Sequence, residues 1–372
     1  MSDSGIILVN GAGGFLGSTV VETLAATGAA VRATDLPGTD LEPVRKAEAE
    51  VVVADLLDPG AIPRLFEGVT RLVNVAGLFN YSLPYENLHR ANVLVTRAMA
   101  EAARSRGLSR FVHISSIAVY GRPVAVPMGE EHPRNASNNY ELSKKEGEDA
   151  VLACARQGLP AVILRPAGIY GPRSRYGQAA FMALLALVRA KGVRRIPVLR
   201  GGPKTQHVHV RDVAGAIRTV LEAPVERVAG RAFNVGDDTP LGQGDLFRAL
   251  MPDLDLQELF SYPYHTRLYW PFIRVLLALP DRTFAGLNRA LKKRWDQVVA
   301  SRHLQPALAP RLDRDFFGYL NADYVLDNTA LKALGFKPAY PDARVGLAET
   351  VRWYQQQKWL PRFVQDQTGP GS

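Results

Sequence analysis

Ile6-Ile7-Leu8-Val9-Asn10 runs directly into Gly11-Ala12-Gly13-Gly14-Phe15-Leu16-Gly17. Four consecutive apolar residues suit a strand covered on both faces, the usual state of a strand in a parallel sheet. Glycines at 11, 14 and 17 follow. Ser18 to Thr27 then predicts a helix, with Val20, Val21 and Leu24 on one side and Gly28 as its stop. Strand, glycine turn and helix together make a cradle for a dinucleotide. Gly11 permits a turn too tight for a Cβ, and Gly14 lets a pyrophosphate approach backbone N–H groups at the helix start. Gly17 lets helix and strand pack closely. A glycine triplet alone also fits an ordinary tight turn, so the residues downstream carry the weight.

A second strand, Ala30 to Thr34, ends at Asp35, about 24 positions beyond the first glycine, where a carboxylate can accept both ribose hydroxyls of an adenosine. The same charge repels a 2′-phosphate, so Asp35 points to NAD over NADP. Arg32 lies three residues back on the strand and points elsewhere. Val51 to Ala54 reads as a third strand ending in Asp55-Leu56, and Asp58-Pro59 opens a helix through Phe66. Leu72 to Val75 is a fourth strand closing on Ala76-Gly77, a small-residue turn against which a ligand can lie. A long helical segment spans Pro84 to Arg106, and Arg110 to Ser115 is a fifth strand. This alternation predicts a doubly wound parallel α/β sheet.

Composition narrows the classes. The chain has 372 residues, 47% of them hydrophobic, which is ample for a sizeable core. A single cysteine, Cys154, excludes an internal disulfide framework and fits a reducing compartment. Met1 to Ser4 has no basic stretch and the apolar run after it is too short for a secretory leader. No segment has the run of apolar residues that a spanning helix needs. The expected location is cytoplasmic. The net charge of +9 suits an anionic cofactor, nucleic acid or an anionic membrane. No nucleic-acid module is present, so nucleic acid is set aside. Thr368 to Ser372 reads as a disordered tail.

A second constellation follows the fifth strand. It ends in Ser115-Ser116-Ile117-Ala118-Val119-Tyr120-Gly121, and a later helix opens with Asn139-Tyr140-Glu141-Leu142-Ser143-Lys144. Tyr140 and Lys144 are four apart and share one helix face. A tyrosine with its ordinary pKa near 10 is a poor base at neutral pH. A nearby cation favours the phenolate and makes the side chain a usable proton donor and acceptor. A serine hydroxyl from the strand end can hold a reacting oxygen.

Together these motifs resemble the extended short-chain dehydrogenase/reductases. The family pattern is G-x-x-G-x-x-G, an acidic residue after strand two, Asp-Leu after strand three, Ser-Ser after strand five, Y-x-x-x-K, and Arg-Pro closing strand six. Gly11, Gly14, Gly17, Asp35, Asp55-Leu56, Ser115-Ser116, Tyr140, Lys144 and Arg165-Pro166 match it. The resemblance covers about the first 172 residues, with fainter agreement to 235. It implies Tyr140 as catalytic acid/base, Lys144 as its tuning cation and ribose ligand, and Ser116 as the residue orienting substrate. It also implies NAD held by the glycine turn with Phe15 and Leu16, by Asp35, Asp55 and Leu56, and by Val75, Ala76 and Gly77. Ser115, Tyr140, Lys144 and Pro166 complete that set.

The expected organisation is a Rossmann domain over residues 1–172, completed by about 205–235. A smaller, mostly helical substrate lobe takes 173–204 and 236–367. Asp212 reads as a helix N-cap. His207 and His209 share a strand face, but with no third ligand they read as packed or hydrogen-bonded rather than metal-binding. Nucleotide-sugar members of the family place an arginine near the position of Thr205, which is absent here.

The lobe carries an apolar and basic insertion over 261–310. Ser261 to Leu279 includes Tyr262, Leu268, Trp270, Phe272, Ile273 and Val275, and Arg282 to Arg294 is rich in cations. 3β-Hydroxysteroid and sterol-4-carboxylate dehydrogenases of the family carry hydrophobic helices near this place. The resemblance therefore implies NAD-dependent interconversion of a secondary alcohol and a ketone on a small hydrophobic, sterol-like substrate, with C4 decarboxylation where a carboxylate lies β to the ketone. The 262–294 stretch suits peripheral contact with a membrane; the alternatives are a lid on its own domain or contact in a homodimer. Two other functions stay open: a nucleotide-sugar 4-epimerase and a non-catalytic NAD-binding regulator.

Overall fold

The structure, a computed structural model, describes residues 5–81 and 83–363; the tail expected at 368–372 lies outside them. The chain forms two compact units. The first contains the residues up to Ile169, Val208–Asp237 and Val325–Ala339, and the second contains Tyr170–His207, Asp238–Tyr324 and the residues from Tyr340 onward.

The first unit is built on a seven-stranded parallel sheet. Its strands are β1 (Ile6–Asn10), β2 (Val31–Thr34), β3 (Glu50–Val51), β4 (Val69–Asn74), β5 (Arg110–Ile114), β6 (Ala161–Pro166) and β7 (Ala232–Val235). Their spatial order is β7-β6-β5-β4-β1-β2-β3, every pair parallel. The order reverses between β1 and β4, and a doubly wound sheet opens its ligand crevice at the carboxyl ends of such a pair. Helices α1 (Phe15–Ala25), α2 (Val95–Ser105), α3 (Asn139–Arg156) and α4 (Val210–Glu222) flank the sheet, α1 packing with α4 and α2 with α3. Leu8, Leu72, Phe111 and Ile163 from four strands meet Met99, Ala103 and Val151 from α2 and α3 in one apolar layer. The alternation of buried strands and one-faced helices thus yields the α/β architecture that the sequence predicts.

Several local expectations differ. The third strand is shorter than Val51 to Ala54, although Val52 N still donates to Ala33 O (3.0 Å) and Ala54 N to Asp35 O (3.1 Å). Val53 faces solvent at this sheet edge. The helix expected through Phe66 is only Ile62–Leu65. The segment from Pro84 to Arg106 is helical but interrupted by a π turn at Arg90–Leu94. Inside that turn Asn92 is buried, donating to Leu78 O (3.1 Å) and accepting from Leu78 N (2.7 Å). A π turn shifts the helix phase by one residue, and here it coincides with an amide shared between the Leu78 backbone and the Ser143 hydroxyl, to which Nδ2 also donates (2.9 Å).

Asp212 is not the cap of α4. His209 takes that place, its ring nitrogen accepting from Arg211 N (3.3 Å). Asp212 sits in the first turn and accepts from Ala339 N (2.6 Å). Residues 325–339, given by the sequence to the second lobe, belong with the sheet: Met128 N donates to Val325 O (2.7 Å), and Asn328 Nδ2 to Gly236 O (2.9 Å).

The second unit has its own core around Trp295, Tyr354, Met182 and Leu347. It includes the edge strand β8 (Gln257–Pro263) and helices α5 (Thr266–Ala278), α6 (Asp281–Ser301) and α7 (Ala343–Gln356). Its His207 is hydrogen-bonded to Gln178 (3.0 Å). Among the described residues no helix is long and apolar enough to cross a membrane.

Candidate active site

Gly11 adopts a positive φ of 65°, and a Cβ there would come within 2.7 Å of the Ala76 Cα. A side chain at 17 would meet the Gly11 carbonyl oxygen at 2.0 Å. Both glycines are therefore demanded by close approach of backbone, and α1, of which Gly17 is the third residue, starts at Phe15 with no side-chain cap. An uncapped helix start presents N–H groups and a partial positive charge, which suits a pyrophosphate. Asp35, at the end of β2, accepts from Gly13 N (2.9 Å) and Leu36 N (2.8 Å), so the carboxylate stands at the mouth of the glycine turn. Arg32 points away, paired with Glu50 at 2.9 Å and donating to Leu65 O (3.0 Å). No cation on β2 is thus aimed with Asp35.

The remaining residues expected to hold the cofactor lie along the carboxyl edge. Asp55 accepts from Leu57 N (2.9 Å), and Leu56 is buried. Val75 and Ala76 follow β4, and their N–H groups both donate to the Asn10 side-chain oxygen (2.8 and 2.9 Å). Gly77 lies beside the Asn92 amide. Pro166 closes β6. The Ser115 hydroxyl is buried and has no partner among the described residues. An orphaned polar atom of that kind carries a cost that a bound ligand removes. The glycine turn, the uncapped helix start, the Asp35 carboxylate and this hydroxyl fit a dinucleotide with an unphosphorylated ribose.

Ser116 accepts from Ala118 N (3.1 Å), capping the short 3₁₀ turn Ile117–Tyr120. Its own hydroxyl proton has no acceptor among the described residues. Tyr140 stands in the first turn of α3, which a reciprocal Asn138–Glu141 capping box fixes. Its ring packs edge-on against Phe79 (5.0 Å) and Tyr81 (5.6 Å), in an apolar cluster that includes Leu88 and Ala118. Tyr140 therefore touches the turn that Ser116 caps. One turn further along α3, Lys144 is buried and donates to Ile114 O (2.7 Å). Burial pushes its pKa from 10.5 down to about 8, and Glu148 works against that shift.

Other buried polar residues beside the candidate site were not evident from motif spacing. Asn10, Asn74 and His113 are register partners across β1, β4 and β5. Asn10 Nδ2 donates to Asn74 Oδ1 (2.6 Å), and Asn74 Nδ2 lies 2.9 Å from His113 Nδ1. This buried polar row ends at Val75 and Ala76 on one side. At the other, burial together with the Lys144 cation keeps His113 well below the usual histidine range, so the ring is neutral. The only sequence signal is a polar residue at or next to the carboxyl end of each strand, after a run of apolar residues. Beneath α3, Glu148 receives Arg165 through two bonds (2.9 and 2.8 Å) and Arg134 at 3.2 Å.

The family model of the NAD dependent epimerase/dehydratase family matches residues 7–236, more than half of the chain. A ceramide reductase of Caulobacter vibrioides is 35% identical over 226 residues, covering 59% of this chain and 62% of the relative, so that match leaves over a third of the relative unspanned. A UDP-glucose 4-epimerase of Mycolicibacterium smegmatis is 32% identical, covering 65% and 80%. A sterol demethylase protein B of Methylococcus capsulatus is 28% identical, covering 94% and 98%. In fold, the chain resembles the dTDP-glucose 4,6-dehydratase DesIV of Streptomyces venezuelae, with a TM-score of 0.69 at 21% identity over 96% of this chain and 99% of that one. With the glycine turn and the Tyr140–Lys144 helix in place on a seven-stranded sheet, the chain belongs to the NAD-dependent epimerase/dehydratase family and is an NAD-dependent oxidoreductase of the extended short-chain type.

Proposed function

We propose that this enzyme interconverts a secondary alcohol and a ketone on a hydrophobic, sterol- or steroid-like substrate. The observation that carries the reading is Tyr140 set in an aromatic, apolar surround, one helical turn from a buried Lys144 whose pKa is near 8. NAD, held by the glycine turn, Asp35 and the edge residues, supplies the hydride acceptor.

The chain's own residues handle the oxygen and its proton. Ser116 has a hydroxyl proton to donate because its oxygen already accepts from Ala118 N, so it holds the substrate oxygen. Tyr140 takes the hydroxyl proton during oxidation and returns it during reduction. Lys144, fixed to the Ile114 carbonyl, supplies the cation that favours the deprotonated phenol. Phe79 and Tyr81 exclude water from the Tyr140 ring and prefer an apolar neighbour.

The hydrophobic substrate class is supported by these rings and by relatives whose names concern ceramide and sterol chemistry. The epimerase relative favours a second reading, in which the same residues act on a UDP-sugar. The deciding experiment follows NADH absorbance with hydroxysteroids and sterols beside UDP-glucose. Net NADH formation with the sterols alone supports the proposal; sugar interconversion without net NADH, and no response to sterols, overturns it.

A further inference from the structure

Helix α5 is apolar on two sides. Ile273 is buried, and Trp270 and Leu277 are half-buried on the same side. Leu268, Phe272 and Val275 follow one another at i, i+4 and i+7, which places them in a single stripe. That stripe faces out: the three are 73%, 58% and 61% exposed. A surface helix facing only water carries polar residues there.

Beside the stripe, Tyr269 joins the helix to neighbouring structure. Tyr262, in the exposed edge strand β8, hydrogen-bonds Tyr269 of α5, and the Tyr264 ring lies 5.0 Å from that of Tyr269. The Phe260 ring lies 6.3 Å from Tyr262 and is itself exposed. Tyrosines with an apolar ring and a polar tip are suited to a boundary between lipid and water.

Charge selects the occupant. No acidic residue occurs between Glu258 and Asp281, whereas Arg267 and Arg274 are exposed and pair with no carboxylate among the described residues. Both flank the stripe by about 100° on the helix. A two-fold contact with a second copy would bring these arginines together with no acid in the segment to offset them. An anionic lipid surface satisfies both the apolar stripe and its cations.

We propose that α5 and the β8 edge dock on membranes containing anionic lipid. Leu268, Phe272 and Val275 enter the boundary between headgroups and acyl chains, and Arg267 and Arg274 lie at phosphate level. The docking goes beyond the substrate assignment and is read without turnover.

The test is co-sedimentation of the full chain with vesicles of phosphatidylcholine, with and without phosphatidylglycerol, at low and high salt. The expected result is binding to the phosphatidylglycerol vesicles that weakens with salt. Leu268→Glu with Phe272→Glu reduces it by roughly tenfold or more, and Arg267→Gln with Arg274→Gln lowers it and flattens the salt dependence. Circular dichroism and thermal unfolding, which sense both units, report whether each variant keeps its fold; if the first pair loses it, the arginine pair decides alone. Absence of binding, or binding unchanged in the folded variants, overturns the proposal. So does light scattering that shows a dimer abolished by Leu268→Glu with Phe272→Glu in a chain that ignores vesicles.

Discussion

The Lys144 ammonium donates to the main-chain carbonyl of Ile114 at 2.7 Å. Ile114 is the last residue of β5, and Ser115 and Ser116 come next in the chain. One charge-assisted hydrogen bond therefore locks α3, which carries Tyr140, to the strand end that carries the serines. Such bonds exceed neutral ones in strength, and burial of both partners keeps water from competing.

If Tyr140 moves the proton, Tyr140→Phe keeps the ring in its aromatic cluster but removes the acid/base group. Turnover falls by about 10²- to 10⁴-fold while NAD affinity, measured by calorimetry, is retained. Unchanged turnover assigns the proton to another group.

The Lys144 pKa makes a statement about stability. Folding lowers it from 10.5 to about 8, so between those values the unfolded chain binds more protons. Unfolding free energy then rises with pH across that window, on the order of 3 kcal/mol, and the lysine contributes no slope below it. Denaturant titrations of the parent and Lys144→Met at pH values on both sides of 8 isolate the effect. Parallel curves would refute it.

Glu148 is fully buried and receives both Arg165 and Arg134. Glu148→Gln leaves the Arg165 guanidinium buried without its counter-charge, which costs roughly 3–5 kcal/mol in urea unfolding. The Lys144 pKa should fall further as well, because Glu148 is the group that raises it. A loss under about 1 kcal/mol would mean that Tyr120 and the Glu130 carbonyl, which Arg165 also reaches, suffice for the guanidinium.

Asp35 stands at the mouth of the glycine turn, with no cation beside it on β2. Asp35→Ala removes the repulsion toward a 2′-phosphate and should narrow the NAD over NADP preference by about tenfold, seen in paired cofactor titrations. Equal discrimination in parent and variant removes Asp35 from ribose selection.

Glycine spacing, apolar runs and the Tyr140–Lys144 interval were sufficient for the sheet, the tight glycine turn and the helix that carries Tyr140 and Lys144 on one face. Each depends on the sterics or periodicity of a few consecutive residues, and these are written in neighbouring letters. Asn10, Asn74 and His113 become one polar row only through strand register, between residues 64 and 39 positions apart. The place of Asp212 has a related cause: its acceptor role depends on Ala339, far along the chain. Periodicity marked α5 as apolar, yet could not tell its buried side from its exposed one. Which side faces inward, how deeply Lys144 is desolvated and which carboxylate meets Arg165 were decided by tertiary packing, because burial and register arise only when distant segments share one volume.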